Sequence, residues 1–130
     1  MVYKPIIIVA GEPNSIFSEI FFKSIKYKKF KSPIILIASQ KLIKLQMKKL
    51  NIRRKIRLID FSNLKEYTLD NTKINLVNVN FNQNKPFDII TSKSNVYIKK
   101  SFDIAFKLIK SKYTNKFING PINKNDFLKK

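Results

Sequence analysis

Pro5-Ile6-Ile7-Ile8-Val9-Ala10-Gly11-Glu12-Pro13-Asn14-Ser15-Ile16-Phe17-Ser18-Glu19 is the stretch that decides the fold. A short apolar run over residues 5–10, closed by a glycine beside a proline, reads as a buried strand followed by a tight turn. Ser15 then offers a helix cap, with Glu19 near the first turns as a partner for the helix dipole. The helix is predicted to run to about Lys29, with Ile16, Phe17, Ile20, Phe21 and Ile25 as its apolar stripe.

The same unit repeats downstream. Pro33 starts Ile34-Ile35-Leu36-Ile37-Ala38, a second buried strand. Ser39 or Gln40 opens a helix to about Leu50, with Leu42, Ile43, Met47 and Leu50 inward. A third strand is expected at Ile56–Ile59, a polar loop over 60–72, and an alternating strand from Lys73 to Phe81. Residues 82–92 are irregular. From about Ser94 to Ser111 the helical period returns, with Ile98, Phe102, Ala105, Phe106 and Ile109 on one face, and Lys116–Asn119 is a last strand. Strands alternating with helices define an α/β chain with a largely parallel sheet and flanking helices. A further helix opening at Asn123 or Asn125 has no room to finish before Lys130. The expectation is therefore a single α/β segment, residues 1–130, forming the N-terminal part of a larger fold.

Only two glycines occur in the chain. Gly11 opens Gly11-Glu12-Pro13, and Gly120 opens Gly120-Pro121-Ile122-Asn123-Lys124 after Asn119. Each follows a strand, where ligands of open α/β sheets bind. The first loop leads into a helix N-terminus, which suits phosphate. It has one glycine, so it is neither the three-glycine dinucleotide fingerprint nor a Walker loop, and by spacing alone an ordinary strand-to-helix turn with a serine cap is the better reading. In the second loop Lys124 and the two asparagines suit a phosphate, carboxylate or sugar, against the plainer reading of a solvated lysine.

Composition limits the chemistry. Cysteine and histidine are both absent, which removes thiolate sites, the usual neutral-pH base and the commonest metal ligand. No apolar run reaches the roughly 18 residues that span a bilayer. A cytoplasmic location is expected. Lys and Arg total 27 against 8 Asp and Glu, a net charge of +19. Such charge suits a polyanion, and Lys26-Tyr27-Lys28-Lys29-Phe30-Lys31 interleaves cations with aromatics as single-strand nucleic-acid binders do. Arginine, the usual reader of base edges, occurs only at 53, 54 and 57. The Lys/Asn/Ile/Phe bias matches AT-rich codon drift at tolerant positions, and that run reads equally as a solvated helix end.

Together the two loops resemble the 4-hydroxythreonine-4-phosphate dehydrogenase family of pyridoxal phosphate (vitamin B6) biosynthesis. That family carries Gly-Asp/Glu-Pro-Ala-Gly-Ile-Gly-Pro-Glu after its first strand, matched here by Gly11-Glu12-Pro13, Ile16 and Glu19. A Thr-Gly-Pro-Ile-Asn-Lys-like segment follows a later strand, matched by Asn119-Gly120-Pro121-Ile122-Asn123-Lys124. The resemblance implies a fold like the isocitrate and isopropylmalate dehydrogenases. It implies NAD-dependent oxidation and decarboxylation of a phosphorylated hydroxy-amino acid, with a divalent metal held by histidines, in a homodimer. Glu12 and Lys124 would line the site, while Gly11, Pro13, Gly120 and Pro121 shape it. Asn14-Ser15-Ile16-Phe17 departs from Ala-Gly-Ile-Gly, and Phe17 would fill space normally left open. With no histidine, these residues cannot assemble the metal site, so the 130-residue chain is expected to be inert alone. The alternatives are a small basic module that binds RNA or another polyanion, and a non-catalytic subunit or degenerate relative.

Overall fold

A computed structural model describes residues 3–122. The order is β1 (Ile6–Val9), α1 (Phe17–Tyr27), β2 (Ile34–Ala38), α2 (Gln40–Lys49), β3 (Ile56–Leu58), β4 (Ile74–Asn78), α3 (Asn95–Lys110) and β5 (Lys116–Asn119). Two short 3-10 segments, Phe61–Glu66 and Ser92–Ser94, lie in the connections. The first falls where sequence predicts only loop; Asp60 caps it by accepting the Ser62 N–H (3.0 Å).

The five strands form one parallel sheet in the order β3-β4-β2-β1-β5. The central strands β1, β2 and β4 are covered on both faces, which is why β1 and β2 are continuous apolar runs, while the edge strands β3 and β5 stay partly exposed. Alternation along each strand divides the core. Ile7, Val9, Ile35, Ile37 and Val77 meet Tyr97, Ile98, Ala105 and Leu108 of α3. Ile8, Ala10, Leu36, Ala38 and Leu76 meet Phe21 and Phe22 of α1 and Ile43 and Met47 of α2.

Helix positions match the expectation, but their buried faces are rotated. Ile16 and Ile20 are exposed, and α1 instead buries Ser18, Phe21 and Phe22. α2 adds Gln46 to its buried stripe. α3 buries Tyr97, Ser101 and Leu108 beside Ile98 and Ala105, leaving Phe106 exposed. Ser39 does cap α2, accepting from the Leu42 N–H (3.2 Å). Ser15 accepts from the Phe17 N–H (3.1 Å) two residues on, so it braces the entry to α1 without occupying its N-cap position, where Ile16 sits.

Two helices end in left-handed turns without glycine. Asn51 (φ 55°) and Lys112 (φ 63°) take the position past α2 and α3. Paired bonds from Ile52 N to Met47 O (2.8 Å) and Tyr113 N to Leu108 O (3.1 Å) close both as Schellman motifs. Where glycine's freedom is merely favourable, this chain does without it.

Candidate functional site

Chain direction sets where a site can form. From β1 the path moves to β2, out to the edge strand β3 and back in to β4; α3 then carries it to β5, on the other side of β1. α1 and α2 cover one face and α3 the other. The order therefore reverses between β1 and β5, and the loops leaving those two strands meet at the crevice that open α/β sheets use for ligands.

The two glycines lie at that reversal, pressed against each other. Gly11 turns the chain with φ 75°. A Cβ on it would sit 2.5 Å from the Pro121 carbonyl oxygen, and one on Gly120 would strike the Ala10 carbonyl and lie 2.8 Å from Phe17 Cδ1. Backbone bonds from Gly120 N to Val9 O (2.7 Å) and Glu12 N to Pro121 O (2.7 Å) seal the contact. The two loops thus approach each other backbone to backbone. Phe17 fills the space beside Gly120, as its replacement of a glycine implies.

Glu12 lies just past this seam and is 3% exposed. Its Oε1 accepts from the Asn14 N–H (3.2 Å), and Oε2 accepts from the Ser94 hydroxyl (2.9 Å), which also lies 3.1 Å from the Thr91 carbonyl. The carboxylate is the stronger acceptor for that proton. Glu12 thus ties the β1–α1 loop to the start of α3. One turn into α3, the Tyr97 hydroxyl accepts from the Ser39 N–H (3.1 Å). Burial pushes the Tyr97 phenol well above its usual range, and the Glu12 charge adds to the rise, so it stays protonated.

Amide side chains fasten the remaining loops. Asn14 and Gln83 bond reciprocally (3.0 and 2.8 Å), and Asn14 Oδ1 also accepts from the Asp88 N–H (3.0 Å). Gln46, 2% exposed on α2, donates to the carbonyls of Pro13 (2.9 Å) and Pro86 (3.0 Å). Lys41 donates to Asn82 and Asn84. Between the β4–α3 loop and α3 opens a cleft of about 670 Å³, lined among others by Asn14, Gln83, Lys85, Lys93, Ser94 and Tyr97. That volume suits a small-molecule ligand.

Of the residues singled out from sequence, Gly11, Glu12, Pro13, Gly120 and Pro121 come together here. Asn119 is exposed at the end of β5, its Nδ2 donating to the adjacent Gly120 carbonyl (3.1 Å). Asn123 and Lys124 lie outside the described residues. Sequence reasoning missed Gln46, Ser94 and Tyr97. Gln46 carried a signal, since it lies three and four positions from Ile43 and Leu42, on the buried stripe.

No group of three or more acidic, histidine or cysteine residues among the described residues could hold a metal. The described residues therefore offer no donor set for the divalent metal that the family resemblance implies. Nor do the glycines cradle a dinucleotide, because each fills the other's open space. No helix of the described residues is long and apolar enough to cross a membrane.

Fold and crevice together define a doubly wound α/β architecture. Solved structures of two 4-hydroxythreonine-4-phosphate dehydrogenases share it. The enzyme from Burkholderia phymatum superposes with a TM-score of 0.84 at 17% identity, over 98% of this chain and 39% of its own. That from Klebsiella pneumoniae gives 0.82 at 18% identity, over 97% and 39%. The likeness shows the fold, and the chain spans about 39% of the length of these enzymes. No protein-family model and no curated protein sequence matches the chain.

Proposed function

We propose that the chain forms the substrate-framing part of a dehydrogenase of this kind, acting on a phosphorylated hydroxy-amino acid with NAD in pyridoxal phosphate synthesis. The observation that carries this reading is the convergence of the β1–α1, β4–α3 and β5 exit loops at the sheet's reversal point, beside a polar cleft. In this reading Lys85 and Lys93 attract the substrate phosphate, and the bonds from Glu12 to Ser94 and from Gln46 to both loops hold the cleft walls in place. NAD, held elsewhere than by these two glycine loops, would supply the hydride acceptor. The described residues supply binding and orientation, while the metal chemistry that follows oxidation in the resembled family has no ligands among them. The 130 residues alone are therefore expected to bind without turnover, as a framing part or non-catalytic subunit beside a complete site. Homodimerisation belongs to the same proposal.

Calorimetric titration with 4-hydroxythreonine 4-phosphate tests the reading. Binding should weaken about tenfold when Lys85 and Lys93 are both changed to Gln, a loss of about 1.4 kcal/mol. Adding NAD should produce no reduced-nicotinamide absorbance from this chain alone. Absence of binding at millimolar ligand, or binding indifferent to both lysines, would refute it.

A further inference from the structure

The basic run of the sequence lies away from the carboxyl-end cleft. α1 ends at Tyr27, and Lys28 is extended (φ −133°, ψ 133°), so residues 28–31 leave the helix and lead back toward β2. There, at the amino ends of β2 and β4, a second cavity of about 420 Å³ opens. Its floor is the buried apolar set Phe21, Ile34, Leu36 and Ile74, flanked by the partly buried Ile25 and Phe30. Lys26, Lys28, Lys29, Arg54 and Lys73 make its rim, and no carboxylate lines it.

No rim cation forms an ion pair among the described residues, although Lys73 feels the charge of the neighbouring Asp70 carboxylate. The ion pairs among the described residues are Lys23–Glu19 and Lys99–Asp103, and neither involves the pocket. Asp70, next in sequence to the lining, is engaged by the Thr72 N–H (2.9 Å) and hydroxyl (2.5 Å). The frame is also fixed. Asn71 accepts from the Ile34 N–H (2.8 Å) and donates to the carbonyls of Phe30 (3.2 Å) and Ser32 (2.9 Å). The Arg54 guanidinium donates to the Asn71 carbonyl (2.7 Å), and Asn75 donates to Ile34 O and Asp70 O.

A pocket with an apolar floor and five cations unmatched by a lining carboxylate selects a ligand with the reverse arrangement. Single-stranded nucleic acid fits it less well. Stacking needs free ring faces, and Lys26 lies over Tyr27 (5.3 Å to the centroid) and Lys28 over Phe30 (5.6 Å). We propose that this pocket binds a small amphipathic anion, its alkyl or aryl body seated on Phe21, Ile34, Leu36 and Ile74 and its single phosphate or carboxylate held by Lys28, Arg54 and Lys73. The site is separate from the carboxyl-end cleft and stands whether or not the chain takes a phosphorylated amino acid there.

Octyl phosphate, kept below its micellar concentration, is the probe, titrated calorimetrically into the whole chain. It should bind at least tenfold more tightly than inorganic phosphate or octanol, because head and body act together. Lys28→Gln with Lys73→Gln should weaken it about fivefold or more. The control pair Lys99→Gln with Lys107→Gln, on α3, should leave it unchanged, and circular dichroism should show both pairs folded. Binding no tighter than that of inorganic phosphate would overturn the proposal, as would equal losses in the two variant pairs. A thymidine decamer that binds more tightly than octyl phosphate and responds equally to both pairs would mark the cations as diffuse surface charge, and would overturn it too.

Discussion

Adding a single methyl group at Gly120 or Gly11 should separate the ends of β1 and β5. Gly11→Ala carries two costs. An L-residue at φ 75° loses about 1–2 kcal/mol. The new Cβ also lies 2.5 Å from the Pro121 carbonyl oxygen, an overpacking of about 1–3 kcal/mol. The sum is about 2–5 kcal/mol. Gly120→Ala should cost about 3 kcal/mol or more, because its Cβ strikes the Ala10 carbonyl, which is backbone and cannot rotate away. Domains of this kind are stable by about 5–15 kcal/mol, so either change removes a large fraction. Both substitutions force apart the same two strand ends. The double variant should therefore lose less than the sum, by about 1–3 kcal/mol. Gly11→Asn separates the two costs at that position, since Asn tolerates positive φ but keeps the clash. Urea unfolding followed by far-ultraviolet circular dichroism reads all four variants. Single changes costing under about 0.5 kcal/mol, the scale of ordinary surface substitutions, would show that the loops do not meet and would refute the reasoning.

Lys112→Gly should stabilise the chain by about 1 kcal/mol, because Lys112 holds the left-handed position (φ 63°) past α3, and the same urea titration measures it. Tyr97→Phe leaves the buried Ser39 N–H without its hydroxyl acceptor, and should cost about 1–3 kcal/mol in thermal or urea unfolding. Glu12→Ala strands the Asn14 N–H and leaves the Ser94 hydroxyl only the Thr91 carbonyl, with a cost of about 1–3 kcal/mol and faster hydrogen exchange at the start of α3. Asp70 has its carboxyl held below the usual range, chiefly by the Thr72 hydroxyl and N–H, with Arg57 and Lys73 adding to it. A lowered folded-state pKa gives stability that is full above the unfolded value and is lost as pH falls through the folded one. The advantage of wild type over Asp70→Asn should therefore be complete near neutral pH and be lost as pH falls through and below the ordinary carboxylate range, read by urea midpoints from neutral to acid pH.

The strands were legible because a parallel sheet covered on both faces needs uninterrupted apolar runs, and Ile34–Ala38 is one. The helix faces were less so. In α1, Ile16, Phe17, Ile20, Phe21, Phe22 and Ile25 support more than one stripe, and the chosen one is fixed by what β1 and β2 present. The glycine loops were found by their rarity, but their meaning changed. Asn51 and Lys112 show that this chain does without glycine where only φ is at stake, so Gly11 and Gly120 mark places where backbone itself would be struck. The cleft was the least legible part. Its walls depend on pairs such as Asn14 with Gln83, 69 residues apart, and such pairings leave no periodic trace in sequence.

The described residues build a cleft at the carboxyl end of the sheet. Amide chemical-shift mapping of the isotope-labelled chain, titrated with 4-hydroxythreonine 4-phosphate, tests it most directly. Shifts should concentrate in residues 12–14 and 80–97, with residues 25–30 and 71–75 at the opposite end little changed. Shifts centred on that opposite end, or none at saturating ligand, would contradict it.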